Sequence, residues 1–398
     1  MRITGLTHLG LGRAEDGQLV PRVLPGEEVE IGPDGAARIL QPSPTRVAPP
    51  CRHYKSCGGC AMQHATDAFV ADWKVGIVTR ALHAHGLDAP IEAIDTSPPR
   101  SRRRAKLAGR RTKKGVIVGF HGRASDQVVA VPDCLLLTPA LMSGLPALEE
   151  ITALVASRKG EVALTVTESL GGLDVMIGID RELTPQLRQA LPALAEKHRL
   201  ARLIWNDEPL AMRAPPAHRL GVAQVVPPPG AFLQATAEGE AALRDAVLRI
   251  TDGAARVADL FAGCGTFALP LAGRSEVHAV ESQADMLAAL DRGWRETPGL
   301  KRVTTETRDL FRRPLEPDEL DRFDSVVLDP PRAGAEAQVD RIAASRVARV
   351  AMVSCNPVTF GRDAARLVAA GFRLDWIRVV DQFRWSAHVE VVADFIRP

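Results

Sequence analysis

A regular alternation of apolar strand candidates and helical stretches after residue 230 constrains the fold more than any other feature of the sequence. The strand candidates are RVADL, EVHAV, RVTTET, FDSVVL, RVAMVS, RLDWIRVV and VEVVADFI, and helical stretches separate the first six. Such alternation is typical of a parallel, doubly wound sheet. Because a short loop joins the last two candidates, we expect them to pair antiparallel. We therefore predict an α/β fold with a seven-stranded, Rossmann-like sheet in residues 230–398.

The chain ahead of this sheet is less regular and predicts three smaller parts. Residues 1–45 contain short apolar runs broken by Gly and Pro, which indicate a small β module. Residues 46–95 contain a cysteine-rich loop followed by a segment with helical periodicity. Residues 96–229 mix helix and strand patterns and indicate a central α+β domain. No stretch suits a membrane span or a secretory leader, so we expect a cytoplasmic protein, and we expect it to be a monomer.

The charge is unevenly distributed along the chain. The formal net charge is only +2, yet the basic run of residues 100–114, RSRRRAKLAGRRTKK, has nine basic residues and no acidic one. Such a run favours contact with RNA or DNA over a solvated basic loop. Aromatic residues make up only 4% of the chain, so we do not expect a surface that stacks several bases.

The cysteine spacing indicates a metal site. The six cysteines are Cys51, Cys57, Cys60, Cys134, Cys264 and Cys355. In a cytoplasmic chain, metal binding or catalysis is favoured over disulfides. The first three have the spacing C-x5-C-x2-C, and Cys134 is a distant fourth. Four thiolates hold either zinc or an iron–sulfur cluster, and the absence of two close pairs favours the cluster.

Polar residues at the carboxyl ends of the predicted strands mark a ligand site, because ligands bind at that edge of a doubly wound sheet. These residues are Asp259, Glu281, Asp309, Asp329 and Cys355. In the loop DLFAGCGTF, Gly263 and Gly265 permit a tight turn and close approach of a ligand, and Glu281 suits ribose hydroxyls. The third glycine of the dinucleotide pattern is missing. This favours S-adenosylmethionine, which has a ribose but no phosphate, over NAD.

Cys355 and Glu390 indicate nucleophilic catalysis at the same edge. If the final strand is antiparallel, Glu390 at its start lies beside Cys355. A thiolate that adds to C6 of uracil makes C5 nucleophilic toward a methyl donor, and a base must then remove the C5 hydrogen. His388 is an alternative base. Amino-group methylation is disfavoured, because LDPPRAG has an acidic Asp329 and no aromatic residue after its prolines.

With these motifs the chain resembles the RNA (uracil-5-)-methyltransferase family, in its iron–sulfur branch. The matching stretches, in order from about residue 45, are FLQAT, DLFAGCGTF, AVES, LDPPRAG, VSCNP and HVE. The resemblance implies that Cys355 is the nucleophile and Glu390 the base. It also implies S-adenosylmethionine contacts by Gln234, Phe261, Thr266, Glu281, Asp309 and Asp329. Thr266 stands where many relatives have Asn.

The resemblance further implies a [4Fe–4S] cluster on Cys51, Cys57, Cys60 and Cys134, and RNA as the partner, mainly 23S ribosomal RNA. It implies an N-terminal β-barrel, which appears here only in shortened form, so we expect the basic run to carry more of the phosphate contact. Three alternatives stay open: the same reaction on transfer RNA, cytosine-5 methylation, and a non-catalytic iron–sulfur protein that binds RNA. Retention of both Cys355 and Glu390 disfavours the last.

Overall fold

The N-terminal module consists of short strands packed around a small apolar core. In the computed structural model, which describes residues 1–33, 35–158 and 160–397, its strands are β1 (Ile3–Leu6), β2 (Leu11–Ala14), β3 (Leu19–Pro21), β4 (Glu28–Ile31) and β5 (Ala37–Gln41). Strands β1, β2 and β3 form an antiparallel sheet, and β4 pairs with β5. The core between them is built from Ile3, Ala14, Val20, Val23 and Val29.

The cysteine loop leads into helix α1 (Asp67–His83) and strand β6 (Ile91–Thr96). Thr66 caps α1, since its hydroxyl accepts a hydrogen bond from the Phe69 amide. The apolar face of α1, with Val70, Trp73 and Ile77, packs into the core of the C-terminal sheet. This part of the chain is therefore joined to the C-terminal sheet by a shared core.

The central domain is built on a seven-stranded sheet with the order β13-β12-β11-β10-β7-β8-β9. Its strands are β7 (Arg104–Thr112), β8 (Gly115–His121), β9 (Val128–Ala130), β10 (Glu161–Ser169), β11 (Gly172–Gly178), β12 (Arg202–Trp205) and β13 (Glu208–Met212). Its helices are α2 (Pro139–Ser143), α3 (Leu145–Val155) and α4 (Pro185–Lys197). Leu148 and Ile151 of α3 pack with the alternating apolar residues of β10 and β11, which explains why one face of the sheet is buried.

A short hairpin, β14 (His218–Leu220) and β15 (Ala223–Val225), connects the central domain to the C-terminal sheet. Its apolar residues Leu220, Ala223 and Val225 belong to the core of the C-terminal domain.

The C-terminal domain contains the predicted α/β sheet. Its strands are β16 (Arg256–Leu260), β17 (Glu276–Glu281), β18 (Val303–Thr307), β19 (Ser325–Leu328), β20 (Arg349–Ser354), β21 (Arg373–Asp381) and β22 (Glu390–Ile396). Its helices are α5 (Ala237–Ile250), α6 (Ala268–Leu271), α7 (Ala284–Arg295), α8 (Pro317–Leu320), α9 (Glu336–Ala344) and α10 (Pro357–Ala369). All seven predicted strands are present, and the sheet is covered by apolar cores on both faces. Pro398, the last residue of the predicted domain, lies outside the described residues.

The strand order is β18-β17-β16-β19-β20-β22-β21-β6. The first five strands are parallel, and β22 is antiparallel to both of its neighbours, as predicted for the last pair. The eighth strand, β6, was not predicted and pairs in parallel with β21. Its sequence, IEAIDT, lacks a continuous apolar run because it lies at the exposed edge of the sheet. Within the described residues, no helix has both the length and the apolar character needed to span a bilayer.

Candidate active site

Cys355 and Glu390 lie next to each other at the carboxyl edge of the sheet. Strands β20 and β22 pair antiparallel with Ser354 opposite Val391, so the end of one strand meets the start of the other. Burial raises the pKa of the Cys355 thiol, and the negative charges of Glu390 and Asp329 raise it further. The positive charge of Arg332 acts in the opposite direction. The predicted neighbourhood of thiol and carboxyl group is therefore present.

The turn that exposes Cys355 is set by the two residues after it. The Asn356 side chain accepts a hydrogen bond from the Val358 amide and caps α10, while Pro357 occupies the first turn of that helix. The Asn356 side-chain amide also donates to the Arg332 carbonyl over 2.9 Å. Cys355 is thus held between the last hydrogen bonds of a strand and the first turn of a helix.

Glu390 is buried in a setting that favours its protonated form. Glu390 is only 3% exposed. Burial is the main cause that raises the pKa of Glu390 to about 8, and the charge of Asp329 adds to it. The Gln382 side-chain amide donates a hydrogen bond to Glu390, which opposes this rise. A carboxyl group that titrates close to neutral pH is suited to exchanging a proton with a substrate.

Gln382 is a residue at this site that the sequence interpretation missed. It follows β21, which is parallel to β20, and therefore reaches the same edge of the sheet. Its side chain also donates to the Gln234 side-chain oxygen over 2.5 Å and accepts from the Ala235 amide over 2.7 Å. The rule that selected Cys355, a polar residue just beyond a strand end, applies equally to Gln382.

The glycine loop after β16 meets Glu281 as predicted for a ligand-binding turn. The Gly263 amide donates to Glu281 over 3.2 Å, and the Ser282 and Gln283 amides donate to the same carboxylate over 2.7 and 3.1 Å. Phe261 begins the loop with a φ of 64°, a left-handed conformation that is strained for a bulky side chain. The Glu281 carboxylate thus ties the glycine loop to the end of β17.

The remaining predicted cofactor residues surround this loop. The ring of Phe261 packs on that of Phe311, 5.4 Å between centroids, which places Asp309 beside the loop because the Asp309 side chain accepts from the Phe311 amide. Thr266 belongs to the loop itself. Gln234 is buried and accepts a hydrogen bond from Gln382, which also contacts Glu390.

Two further carboxyl groups lie at this edge, Asp259 fully buried and Asp329 half-buried. Burial raises the pKa of Asp329 to about 7. Burial also raises the pKa of Asp259 well above its usual value, and the charges of Asp329 and Glu281 add to this effect. Within the described part of the chain, neither carboxyl oxygen of Asp259 has a partner at hydrogen-bond distance. The edge therefore gathers carboxyl groups whose ionised form a positively charged ligand would stabilise.

His388, the alternative base, lies on the loop between β21 and β22. It is exposed and accepts a hydrogen bond of 3.1 Å from the Arg332 guanidinium. Burial of its ring by neighbours lowers its pKa, and the charge of Arg332 lowers it further. This contact connects the loop between β21 and β22 to the segment that follows β19.

The four cysteines predicted as cluster ligands line one small cavity between the cysteine loop and the central domain. Cys51, Cys57, Cys60 and Cys134 are joined there by apolar groups such as Phe120. Burial raises the pKa of Cys57 and Cys134, and that of Cys60 to about 12. Among the described residues, no three Cys, His, Asp or Glu side chains are arranged to hold a metal ion. The cluster therefore stays a prediction. Cys264, which has no predicted role, lies in the core of the C-terminal domain.

The basic run does not form the single solvated surface that its composition suggested. The Arg103 guanidinium forms an ion pair with Glu240 and donates to the Gln234 carbonyl. The Arg104 guanidinium donates to the Gly230 carbonyl, and Arg102 lies over the ring of Phe383 at 5.8 Å. These three arginines join the central and C-terminal domains, because the run begins where the two domains meet.

A second positive surface lies beside the active site, and we call it the arginine groove. It is lined by Gly58, Gly59, Arg102, Arg123, Arg332 and Phe383, among others. Among the described residues that line it, none is acidic, and no ion pair neutralises the three guanidinium groups. Arg332 links the groove to the thiol, since its charge acts on Cys355. A polyanion is therefore attracted to the entrance of the active site.

Comparison with known proteins finds a matching family model and relatives that cover nearly the whole chain. The family model described as tRNA (Uracil-5-)-methyltransferase matches residues 299–395. The chain is 44% identical over 389 residues to an uncharacterised RNA methyltransferase of Brucella suis, covering 96% of this chain and 94% of the relative. It is 32% identical over 436 residues to the 23S rRNA (uracil(1939)-C(5))-methyltransferase RlmD of Alkalilimnicola ehrlichii, covering 99% and 96%.

A solved structure matches the whole fold. The tRNA (uracil-54, C5)-methyltransferase of Pyrococcus abyssi, determined in complex with S-adenosyl-L-homocysteine, superposes with a TM-score of 0.77 over 99% of this chain and 98% of that one. The superposition shows that the two proteins share a fold, at a sequence identity of 22%. Taken with the relative that is 32% identical over nearly the full length, these matches show that the chain belongs to the RNA (uracil-5-)-methyltransferase family.

Proposed function

We propose that this enzyme methylates C5 of a uridine in 23S ribosomal RNA with S-adenosylmethionine, through a covalent bond between Cys355 and C6. The observation that carries the proposal is the placement of Cys355 and Glu390 side by side at the acidic edge of the sheet. A thiol and a proton acceptor at one ligand-binding edge are what the two halves of this reaction need.

The acidic edge fits S-adenosylmethionine better than NAD. Asp259 is a buried carboxyl group without a hydrogen-bond partner among the described residues, and Glu281, Asp309 and Asp329 lie around the same loop. Carboxylates attract the ammonium and sulfonium groups of S-adenosylmethionine and repel the pyrophosphate of NAD. Phe261, Thr266 and Gln234 complete the proposed binding site. When bound there, the cofactor supplies the methyl group that C5 takes up.

Cys355 acts first and last. Its thiolate forms a bond with C6 of the uracil, and the electron pair of the C5–C6 double bond moves into the adjacent carbonyl, which makes C5 nucleophilic. After C5 has gained the methyl group, Glu390 accepts the C5 proton. The electrons of the C5–H bond restore the double bond, and the C6–S bond breaks to return the thiolate. Arg332 favours the thiolate, since its positive charge lowers the pKa of Cys355 against the larger effect of burial.

The two residues fail at different steps, and this tests the proposal. Cys355→Ala removes the thiol, so we expect neither a covalent RNA complex nor methyl transfer. Glu390→Gln keeps the thiol, so a methylated RNA should stay bonded to Cys355 and survive denaturing electrophoresis. Each change should lower turnover at least about 100-fold. A covalent complex with Cys355→Ala, or normal product release with Glu390→Gln, would refute the assigned roles.

The target RNA is inferred from the relatives. The relative that is 32% identical is named as acting on 23S ribosomal RNA, whereas the likeness to the transfer-RNA enzyme rests on a shared fold at 22% identity. Purified enzyme with labelled S-adenosylmethionine should therefore form 5-methyluridine in an unmodified 23S transcript and not in transfer-RNA transcripts. Labelling of transfer RNA alone would establish the alternative substrate, and labelling of neither would overturn the proposal.

We also propose that Cys51, Cys57, Cys60 and Cys134 hold a [4Fe–4S] cluster. Four sulfur ligands, without carboxylate or imidazole, suit iron–sulfur chemistry. In such a cluster each thiolate binds a different iron atom, so the four sulfurs need not surround one ion. Protein purified without oxygen should contain about four iron atoms per chain. Cys60→Ala should lower the iron content, and the matched control Cys264→Ala should not; one zinc ion and no iron would refute the cluster.

A further inference from the structure

Gln382 makes contacts that no motif accounts for. Its side-chain amide has two N–H groups and one oxygen, and all of them are used. The N–H groups donate to Glu390 and to the Gln234 side-chain oxygen, and the oxygen accepts from the Ala235 amide over 2.7 Å and the Thr236 amide over 3.4 Å. Because two backbone amides point at the oxygen, the nitrogen must face Glu390 and Gln234.

The backbone around Gln382 is fixed from the opposite side by a buried ion pair. Lys74 of α1 reaches Asp381 over 2.5 Å, and both side chains are almost completely buried. Lys74 also donates to the Phe383 carbonyl, and the Asp381 carbonyl accepts from the Ser97 amide. Gln382 therefore has a rigid frame on both sides.

From this geometry we infer that Gln382 is a positioning residue for the proton-removal step: it orients the Glu390 carboxylate and couples it to Gln234 of the proposed cofactor site. This inference rests on the proposed function, since it assigns Gln382 a part in the same reaction. A neutral donor at this place favours the ionised form of Glu390 without adding a charge that competes for the proton.

The groups that face Glu390 are consistent with this role. The ones that act on it are the carboxyl group of Asp329 and the amide of Gln382, and the Cys355 thiol is its neighbour across the strand pair. Burial and Asp329 disfavour the carboxylate, so Gln382 supplies the hydrogen bond that opposes them. Without that donor, Glu390 would stay protonated to a higher pH and would accept the C5 proton less readily.

The test uses Gln382→Met, which keeps the size of the side chain and removes the donor. In single turnovers at saturating RNA, bond formation and methyl transfer should continue, while release of methylated RNA slows at least about tenfold. The pH midpoint of release should rise by about one unit, since a hydrogen bond to a charged group contributes roughly that much. Equal slowing of methyl transfer and release, with no shift in midpoint, would overturn the inference.

Ser97→Ala is the matched control. The Ser97 hydroxyl forms a buried 2.7 Å hydrogen bond with the Thr236 hydroxyl in the same region but does not contact Glu390. It should change stability slightly and leave the pH midpoint unaltered. A shift in Ser97→Ala as large as that in Gln382→Met would show a general structural effect and would also overturn the inference.

A measurement that needs no activity separates this inference from the proposed function. The melting temperature of the wild type should fall as the pH rises through the pKa of Glu390, and in Gln382→Met this fall should extend to higher pH. In a Glu390→Gln background, Gln382→Met should no longer alter the pH dependence. If the two curves coincide in the wild-type background, the inference fails even where methylation is observed. If they differ and no 5-methyluridine forms, only the proposed function fails.

Discussion

The carboxyl edge of the C-terminal sheet and the basic run of residues 100–114 use charged groups in opposite ways. At the sheet edge, Asp259 and Glu390 are buried and Asp329 is half-buried. They have few partners among the described residues, and the pKa of each is raised. In the basic run, Arg103 and Arg104 each meet a carbonyl or carboxylate of the neighbouring domain. The carboxyl groups at the sheet edge thus have few partners within the described chain, whereas the guanidinium groups of Arg103 and Arg104 have theirs.

This difference separates chemistry from architecture. A buried acid without partners is costly, and it persists where a ligand or substrate supplies the missing contact. An arginine whose hydrogen bonds are already made contributes to the domain junction and has little left to offer a ligand. The state of each charged group therefore identifies its role better than its place in a charge-rich stretch of sequence.

The largest expected effect tests the architectural side. Arg103→Ala leaves Glu240 without its partner at a site where the two side chains are 15% and 8% exposed. We expect a loss of about 2 to 3 kcal/mol in unfolding free energy, somewhat less than for a fully buried pair. Urea unfolding measures the loss, and RNA affinity under native conditions should stay unchanged because the guanidinium faces Glu240.

Arg111→Ala is the matched control, since Arg111 is an exposed arginine in the same run. It should alter stability by less than about 0.5 kcal/mol. If Arg103→Ala instead weakened RNA binding and left stability intact, the contrast between the two regions would be wrong.

How far the sequence predicts each region follows from the same physics. The residues at the carboxyl edge were predictable because a parallel sheet gathers its strand ends, so Cys355, Asp329 and Glu281 had to converge once the alternation was recognised. The direction of an arginine side chain has no such periodic constraint. Arg103 and Arg104 turn inward because two domains meet there, and their partners Glu240 and Gly230 are distant in sequence. Strand β6 was not predicted from the sequence, because an edge strand needs no continuous apolar run.

An effect of up to about 1.4 kcal/mol for each pH unit tests the chemical side through stability. The pKa of Glu390 is raised from 4.5 to about 8 in the folded protein. Between pH 4.5 and about pH 8, the folded state therefore keeps a proton on Glu390 that the unfolded state has released. The contribution of this group is therefore fully present below about 4.5 and is lost as the pH rises through about 8. Over that window stability should fall by up to about 1.4 kcal/mol per pH unit.

Glu390→Gln removes this titration and keeps an acceptor for Gln382. The variant should be more stable than the wild type at pH 8, and the advantage should shrink as the pH is lowered toward 4.5. Thermal melting across this range measures the difference. A variant that is less stable than the wild type throughout would show that Glu390 is a structural group and would remove the contrast with the basic run.

The smallest expected effect concerns the arginine groove, which we expect to contribute to RNA contact. Arg123 lines the groove, and among the described residues its guanidinium makes only a long hydrogen bond of 3.5 Å, to the Cys60 carbonyl. Arg123→Ala should lower affinity for single-stranded RNA roughly fivefold at about 0.1 M salt and reduce the slope of log K against log salt by about 0.7, the value for one phosphate contact. Lys113→Ala is the control, since Lys113 is exposed at the far end of β8, about 20 Å along the strand from Arg123. If the salt slope falls for Lys113→Ala and not for Arg123→Ala, the exposed end of the basic run binds the RNA phosphates and the arginine groove does not. The arginines of the run at the domain junction would still not take part, because their hydrogen bonds are made within the protein.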